Sequence, residues 1–230
     1  MKLPDFEIHY DDDPLLRAYR RSVWEHDALD REPIPAGKNI LIVPWDSPHR
    51  DESGRIVLRL DSRFAFGDGR HPTTTLCLAL LEEYLNGLSS SERKQCVMLD
   101  MGTGSGVLSI LASRMGVANI LAVDIDPDAI ESAREQAGRN GCDTIGFRVM
   151  DAALLPPVPA YGLITANLLP PVLRSVIPLA AQLILPGAPV IVSGIGDASR
   201  DEMEALMKNA GFSELHRVTS GWWHGYLLRK

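Results

Sequence analysis

From Gln95 onward the chain alternates between short apolar runs and stretches whose apolar residues recur every three or four positions. Residues 96–100, 119–124, 144–149, 163–167 and 189–193 are apolar enough to read as buried strands. The stretches between them are amphipathic. Residues 104–115 place Val107, Leu108, Ile110 and Leu111 on one face, and the segment opened by Asp126 and Pro127 gathers Ala129, Ile130, Ala133 and Ala137 before Gly141. Residues 171–185 and 199–210 repeat the pattern, the first with Val172, Val176, Ile177, Ala180 and Leu183, the second with Met203, Leu206, Met207 and Ala210. Two closing runs, 214–219 and 222–228, meet at a Ser-Gly pair and predict an antiparallel hairpin. Apolar strands alternating with amphipathic helices imply an α/β fold: a doubly wound, mostly parallel sheet with helices on both faces.

Ahead of that alternation the pattern is less regular. Residues 39–45 and 56–60 read as strands, and residues 75–85 as a helix that follows the segment FGDGRHPTT. Residues 1–37 are polar and acidic. Asp11, Asp12 and Asp13 before Pro14 mark a helix start, and Leu15, Leu16, Tyr19, Val23 and Trp24 recur at helical spacing until Pro33 and Pro35 close the segment. The expected organisation is an N-terminal helical or linker segment over 1–37 and a main domain over 38–230.

Composition narrows the function classes. The 230 residues are 45% hydrophobic and 23% charged, an ordinary globular balance, with a formal charge of −7. That charge argues against a broad basic surface, so no direct nucleic-acid binding is expected. No apolar run reaches the length of a membrane span, and the N-terminus lacks the basic start and apolar stretch of a signal peptide. Cys77, Cys96 and Cys142 are scattered and odd in number, which reads as reduced thiols of a cytoplasmic protein rather than a disulfide framework or a metal site.

The sharpest local signal is VMLDMGTGSG, a buried strand that runs into three glycines at alternate positions and then into a helix. Gly102, Gly104 and Gly106 let the backbone turn tightly and approach a ligand closely. Their spacing is not the G-x-G-x-x-G of dinucleotide sites, and Asp100 at the strand end disfavours a pyrophosphate while suiting a ligand with a cationic amino group. Asp124 ends the next strand, 18 residues past Gly106, where a carboxylate can accept both hydroxyls of a ribose. One ligand wants an ammonium partner, a glycine cradle and a ribose acceptor together: S-adenosylmethionine. Asp126 is read as the cap of its helix. Asp151, after the third strand, either meets the adenine amino group or is simply a polar loop residue.

Asn167 ends the fourth strand of the alternation and faces the same crevice. Its carbonyl can accept a hydrogen bond from an incoming amine and aim the lone pair at a methyl group, a displacement that needs positioning and a neutral nucleophile more than a strong base. The competing reading is an asparagine that caps the helix after Pro170 and Pro171. Upstream, Thr73 or Thr74 can cap the helix that follows FGDGRHPTT, and His71 is either a general base or a structural residue before Pro72.

The segments FGDGRHPTTTLCL, LDMGTGSGVLSI, AVDIDPDAI and ITANLLPPVL, in that order, closely resemble the PrmA family, bacterial methyltransferases of the large-subunit ribosomal stalk-base protein. The resemblance covers about residues 39–230. It implies a seven-stranded Rossmann-like methyltransferase fold whose last strand pair is antiparallel. It further implies that Phe66, Gly67, Thr73 and Thr74 form a lid over the cofactor, that Gly102, Gly104 and Asp124 hold it, and that Asn167 lies beside the transferred methyl. The implied activity is N-methylation of a protein amine, most simply a lysine side chain, with a ribosomal protein as acceptor. Two departures stand out: Asp68 replaces the family's usual threonine in FGDG, and the chain ahead of the main domain has room only for something like the family's helical linker. The alternatives are a methyltransferase of another protein or small amine, a cofactor-binding subunit without catalysis, and a nicotinamide-dependent oxidoreductase, which Asp100 and the glycine spacing disfavour.

Overall fold

The computed structural model describes residues 32–49, 53–61 and 69–230. The helix expected over 15–29 lies outside the described residues. Three short strands come first, β1 (Ile34–Ala36), β2 (Ile40–Pro44) and β3 (Ile56–Leu60), then the helices α1 (Pro72–Asn86) and α2 (Ser90–Gln95). The alternating region follows as β4 (Val97–Met101), α3 (Val107–Arg114), β5 (Asn119–Asp124), α4 (Pro127–Arg139), β6 (Gly146–Val149), β7 (Leu163–Asn167) and α5 (Pro170–Leu183). It ends with β8 (Pro189–Gly196), α6 (Arg200–Asn209), β9 (Ser213–Ser220) and β10 (Trp223–Arg229).

Seven strands make the main sheet in the order β6-β5-β4-β7-β8-β10-β9. The strands from β6 to β8 are parallel, whereas β10 runs antiparallel to both β8 and β9. The expected parallel sheet with an antiparallel C-terminal hairpin is therefore present. Strict alternation along the strands sends Met98, Leu163, Ile191 and Leu227 into one core with α1, α3 and α4. Leu99, Ile164, Val192 and Tyr226 enter the other core, with α5 and α6. In α1, Leu78, Leu80, Leu81 and Leu85 are wholly buried, each removing about 2 kcal/mol of apolar surface from water. The chain steps outward from β4 through β5 to β6, then crosses back to β7 and β8. The switch point, and hence the crevice, lies at the carboxyl ends of β4 and β7.

Several boundaries differ from the sequence expectation for identifiable reasons. The helix α1 begins three residues before position 75, because His71 occupies the N-cap and Pro72 the first turn. The helix α3 starts at Val107 rather than 104, since Gly104 and Gly106 sit at φ of 52° and 78°, which no right-handed helix accepts. A further helix, α2, is opened by a Ser89–Glu92 capping box. The strand β8 runs on to Gly196 instead of stopping at 193. Finally, Ile34–Ala36 pairs antiparallel with Ile40–Ile42, so these residues join the small sheet.

The small sheet is fastened to the main body by side chains. Buried Glu82 of α1 accepts hydrogen bonds from the amides of Lys38 (2.6 Å) and Asn39 (2.8 Å), which holds the β1–β2 turn. On α4, the amide side chains of Gln136 and Asn140 each donate to and accept from the backbone of Asp61 and Arg59, at 2.8–3.0 Å. They substitute for a neighbouring strand and close the edge of β3. The chain that leaves Asp61 toward α1 thus departs from a fixed point.

Candidate active site

The glycine loop folds back over β5. The amides of Gly102 and Thr103 both donate to the Val123 carbonyl, at 2.9 and 3.0 Å. Gly102 has φ of 71°, and a Cβ there would overlap the Leu168 side chain. Gly102 and Gly104 are half-buried, whereas Gly106 is buried with only 3.0 Å between a hypothetical Cβ and that of Ala133. The three glycines therefore divide their work: Gly102 and Gly104 lie toward the crevice, and Gly106 lets α4 pack against the loop.

Asp100 lies behind this loop, 1% exposed. Its Oδ2 accepts from the hydroxyls of Thr103 (2.7 Å) and Ser109 (2.8 Å), and its Oδ1 from Thr165 (2.6 Å). Burial raises its carboxyl above the ordinary carboxylate range, and the three hydroxyls oppose that rise. The sequence placed this carboxylate against a ligand's ammonium. Three of its acceptor positions are taken by hydroxyls of β7, α3 and the loop itself, which help to hold the bend in shape. Cys77 packs nearby, and burial followed by the Asp100 charge pushes its thiol far up, leaving it inert.

Asp124 sits at the end of β5 with one oxygen bonded to the Gly104 amide (3.0 Å) and the other to the Asp126 amide (3.1 Å). Burial raises its carboxyl, the two amides lower it, and the Asp126 charge raises it again. Each oxygen keeps a lone pair, so two vicinal hydroxyls can be accepted while the loop stays tied. Asp126 caps α4 by accepting from the Asp128 amide at 2.9 Å, as expected. Asp151 is exposed, and its Oδ1 accepts from the Ala153 amide at 2.9 Å to cap a short 3₁₀ turn; that is the loop reading of this residue. The sequence reading missed Ile125, which is 51% exposed directly after Asp124 and offers an apolar surface beside the carboxylate. An apolar residue between two aspartates at a strand end was its only signal.

Asn167 resolves differently from the aspartates. The N-cap of α5 is Leu169, with no side-chain cap bond, so the capping alternative for Asn167 falls away. Its Nδ2 lies 3.5 Å from Thr74 Oγ1, and its Oδ1 is buried without a hydrogen-bond partner. An orphaned acceptor at a strand end costs about 1–3 kcal/mol unless something completes it. It is held there by Gly194 on β8: a Cβ at that glycine would overlap the Leu168 carbonyl and lie 2.7 Å from its carbon. Thr73 and Thr74 are buried in the first turn of α1, while the cap is His71, whose Nδ1 accepts from the Thr73 amide. The expected threonine cap is thus replaced by His71, and burial lowers the pKa of its imidazole. Phe66 and Gly67 lie outside the described residues. Among the described residues no group of three or more histidine, cysteine, aspartate or glutamate side chains could hold a metal ion.

The family model described as Ribosomal protein L11 methyltransferase (PrmA) matches residues 16–230. The chain belongs to this family. The PrmA relative from Pelotomaculum thermopropionicum is 36% identical over 216 residues, covering 91% of this chain and 68% of its own length. The one from Desulfosudis oleivorans is 35% identical over 197 residues, covering 84% and 63%. This chain therefore spans about two thirds of the length of those relatives. A crystal structure of a ribosomal protein L11 methylase from Lactobacillus delbrueckii subsp. bulgaricus superposes with a TM-score of 0.77 at 28% identity, over 86% of this chain and 99% of that one. The N-methyltransferase NodS from Bradyrhizobium japonicum, at 16% identity and a TM-score of 0.54, shares the fold. The sheet is thus the class I methyltransferase sheet. Within this PrmA scaffold the residues that sequence motifs did not mark are Thr165, Ser109 and Gly194. Each acts through a contact with a residue distant in sequence, which no local pattern encodes.

Proposed function

We propose that this chain binds S-adenosylmethionine in the crevice between β4 and β7 and transfers its methyl group to a protein amine, a lysine side chain, with a ribosomal protein as the acceptor. The observation that carries the reading is the unpartnered Asn167 Oδ1 beside the glycine loop. A buried acceptor with no donor fits a site whose donor arrives as substrate, and an N–H of an amine completes it. When bound, S-adenosylmethionine supplies a methyl group on a sulfonium, a leaving group that needs no acid. The residues then have separable tasks. Gly102 and Gly104 admit close approach, Asp124 accepts the ribose hydroxyls, and Ile125 lies against the base. Asn167 accepts an N–H from the amine and turns its lone pair toward the methyl carbon. Only the neutral amine has a lone pair to direct, and an uncharged amide avoids the ion pairing by which a carboxylate there would hold the ammonium. Thr73 and Thr74, with Phe66 and Gly67, belong to the cofactor side of this reading.

A place in the cytoplasm accords with the three cysteines, all unbonded; no described helix is long and apolar enough to cross a membrane. The test is calorimetry with S-adenosylmethionine and with a nicotinamide dinucleotide, followed by labelled methyl transfer into isolated ribosomal proteins and mass spectrometry of the labelled band. Micromolar binding of S-adenosylmethionine and label on a lysine are expected. Preference for the dinucleotide overturns the reading.

A further inference from the structure

The crevice has a rim that the cofactor reading does not use. A closed circuit of contacts locates it. Asn167 approaches Thr74 in the first turn of α1, and that turn is capped by His71. The His71 ring meets Trp223 edge-on, with centroids 4.8 Å apart. Trp223 pairs with Gly196 on β8, and three residues back along β8 Ser193 pairs with Asn167. The start of β10 therefore borders the same opening as the orphaned acceptor. Immediately outside this circuit stand Trp222 and Asp197.

Both are exposed, Trp222 with its backbone tied and Asp197 with its side chain tied as well. Trp222 is 65% exposed, the most open tryptophan among the described residues, and its carbonyl accepts from the Asp197 amide at 2.9 Å. The Asp197 carboxylate is 63% exposed, but its Oδ1 is bonded at 2.7 Å to Nε2 of His224, a buried side chain. A surface carboxylate ordinarily swings freely in solvent. Here one oxygen is tied to a buried imidazole, and the other is left toward solvent in a set orientation. The nearby cation Arg200 is paired with Asp201 at 3.0 Å and also feels the charge of Asp197. An indole and an oriented carboxylate, linked through their backbones, have the chemistry to meet a cationic side chain by cation–π contact and charge pairing.

We propose that Trp222 and Asp197 dock a basic stretch of the acceptor protein, an arginine or lysine flanking the amine to be methylated. The proposal rests on the methyltransferase reading above and names the surface that would orient its substrate. Charge complementarity favours this occupant, since the chain as a whole carries −7. Preorganisation matters because a carboxylate already held by His224 loses little entropy when it is covered.

Two fluorescein-labelled 15-residue peptides separate the outcomes, each with one central lysine, one flanked by arginines and the other by glutamates. Fluorescence anisotropy against the full chain should show tighter binding of the arginine peptide by about ten-fold. Asp197→Asn should weaken that peptide about three-fold, and Trp222→Ala about five-fold, while Trp222→Phe keeps most of the affinity. Unchanged thermal midpoints establish that the variants are folded. Equal binding of the two peptides, or full preference retained in Asp197→Asn and Trp222→Ala together, overturns the proposal. Because binding is read without methyl transfer, a failure of the cofactor assignment registers separately, in the calorimetry.

Discussion

Two polar side chains end neighbouring strands of one sheet and point to the same face, yet they are treated in opposite ways. Asp100, near the end of β4, is a buried carboxyl with three hydroxyls turned toward it: Thr103, Ser109 and Thr165. Asn167, near the end of β7, carries no charge and has its carbonyl oxygen left bare. The carboxyl is enclosed by hydroxyls of the fold, while the amide oxygen meets no protein donor. A buried carboxylate without partners is far costlier than a buried amide oxygen without one, so a fold that leaves one acceptor open can do so only at the amide.

The largest effect should follow from emptying the closed end. Asp100→Ala strands three hydroxyls and frees the glycine loop, so we expect a stability loss of about 3 kcal/mol, read as a fall of roughly 6–12 °C in the thermal midpoint. Asp100→Asn preserves the shape and should lose much less. A loop indifferent to Asp100→Ala would mean that the hydroxyl network merely decorates the turn.

The open end should answer in the opposite sense. Asn167→Ala removes an unsatisfied acceptor, so the thermal midpoint should stay level or rise slightly. Transfer should nevertheless fall by about 10²-fold in kcat, with S-adenosylmethionine affinity retained, because the amine loses its guide. A variant that loses stability and keeps its rate would reverse the contrast between the two strand ends.

That contrast is also where reading from sequence stopped. The strands and helices of the alternating region were legible because burial on both faces imposes apolar runs, as at Leu163–Asn167, and because caps such as Asp126 announce themselves. The glycine loop was legible as a turn whose φ values only glycine tolerates. What Asp100 and Asn167 each touch was not legible. Ser109 is nine residues from Asp100 and Thr165 is 65 away, and only the pairing of β4 with β7 brings Thr165 opposite it. The same limit hid Gly194, whose missing side chain makes room for the Leu168 backbone. The structural reading of His71 holds, but the cap was expected from Thr73 or Thr74, because an imidazole is an uncommon cap.

Asp124 lies between the extremes, with one bond per oxygen and lone pairs to spare, and it should show the smallest and most conditional effect. Its carboxyl is raised chiefly by burial, against the lowering of the Gly104 and Asp126 amides. Ribose hydroxyls donate more strongly, and at both oxygens, to the ionised form. Affinity for S-adenosylmethionine should therefore be full above the raised value and be lost as pH falls through it, before an unperturbed aspartate would titrate. Stability has the other sign. A carboxyl whose folded value is raised contributes stability at low pH and loses that contribution as pH rises through the folded value, so the empty protein gains from this group where the ligand binds worst. Calorimetric titration from neutral pH toward pH ~4 should show the affinity loss. Asp124→Asn should bind about ten-fold more weakly at neutral pH and show no such dependence. If wild type and Asp124→Asn decline together on acidification, the titrating group is another one, and Asp124 belongs with Asp100 as part of the frame.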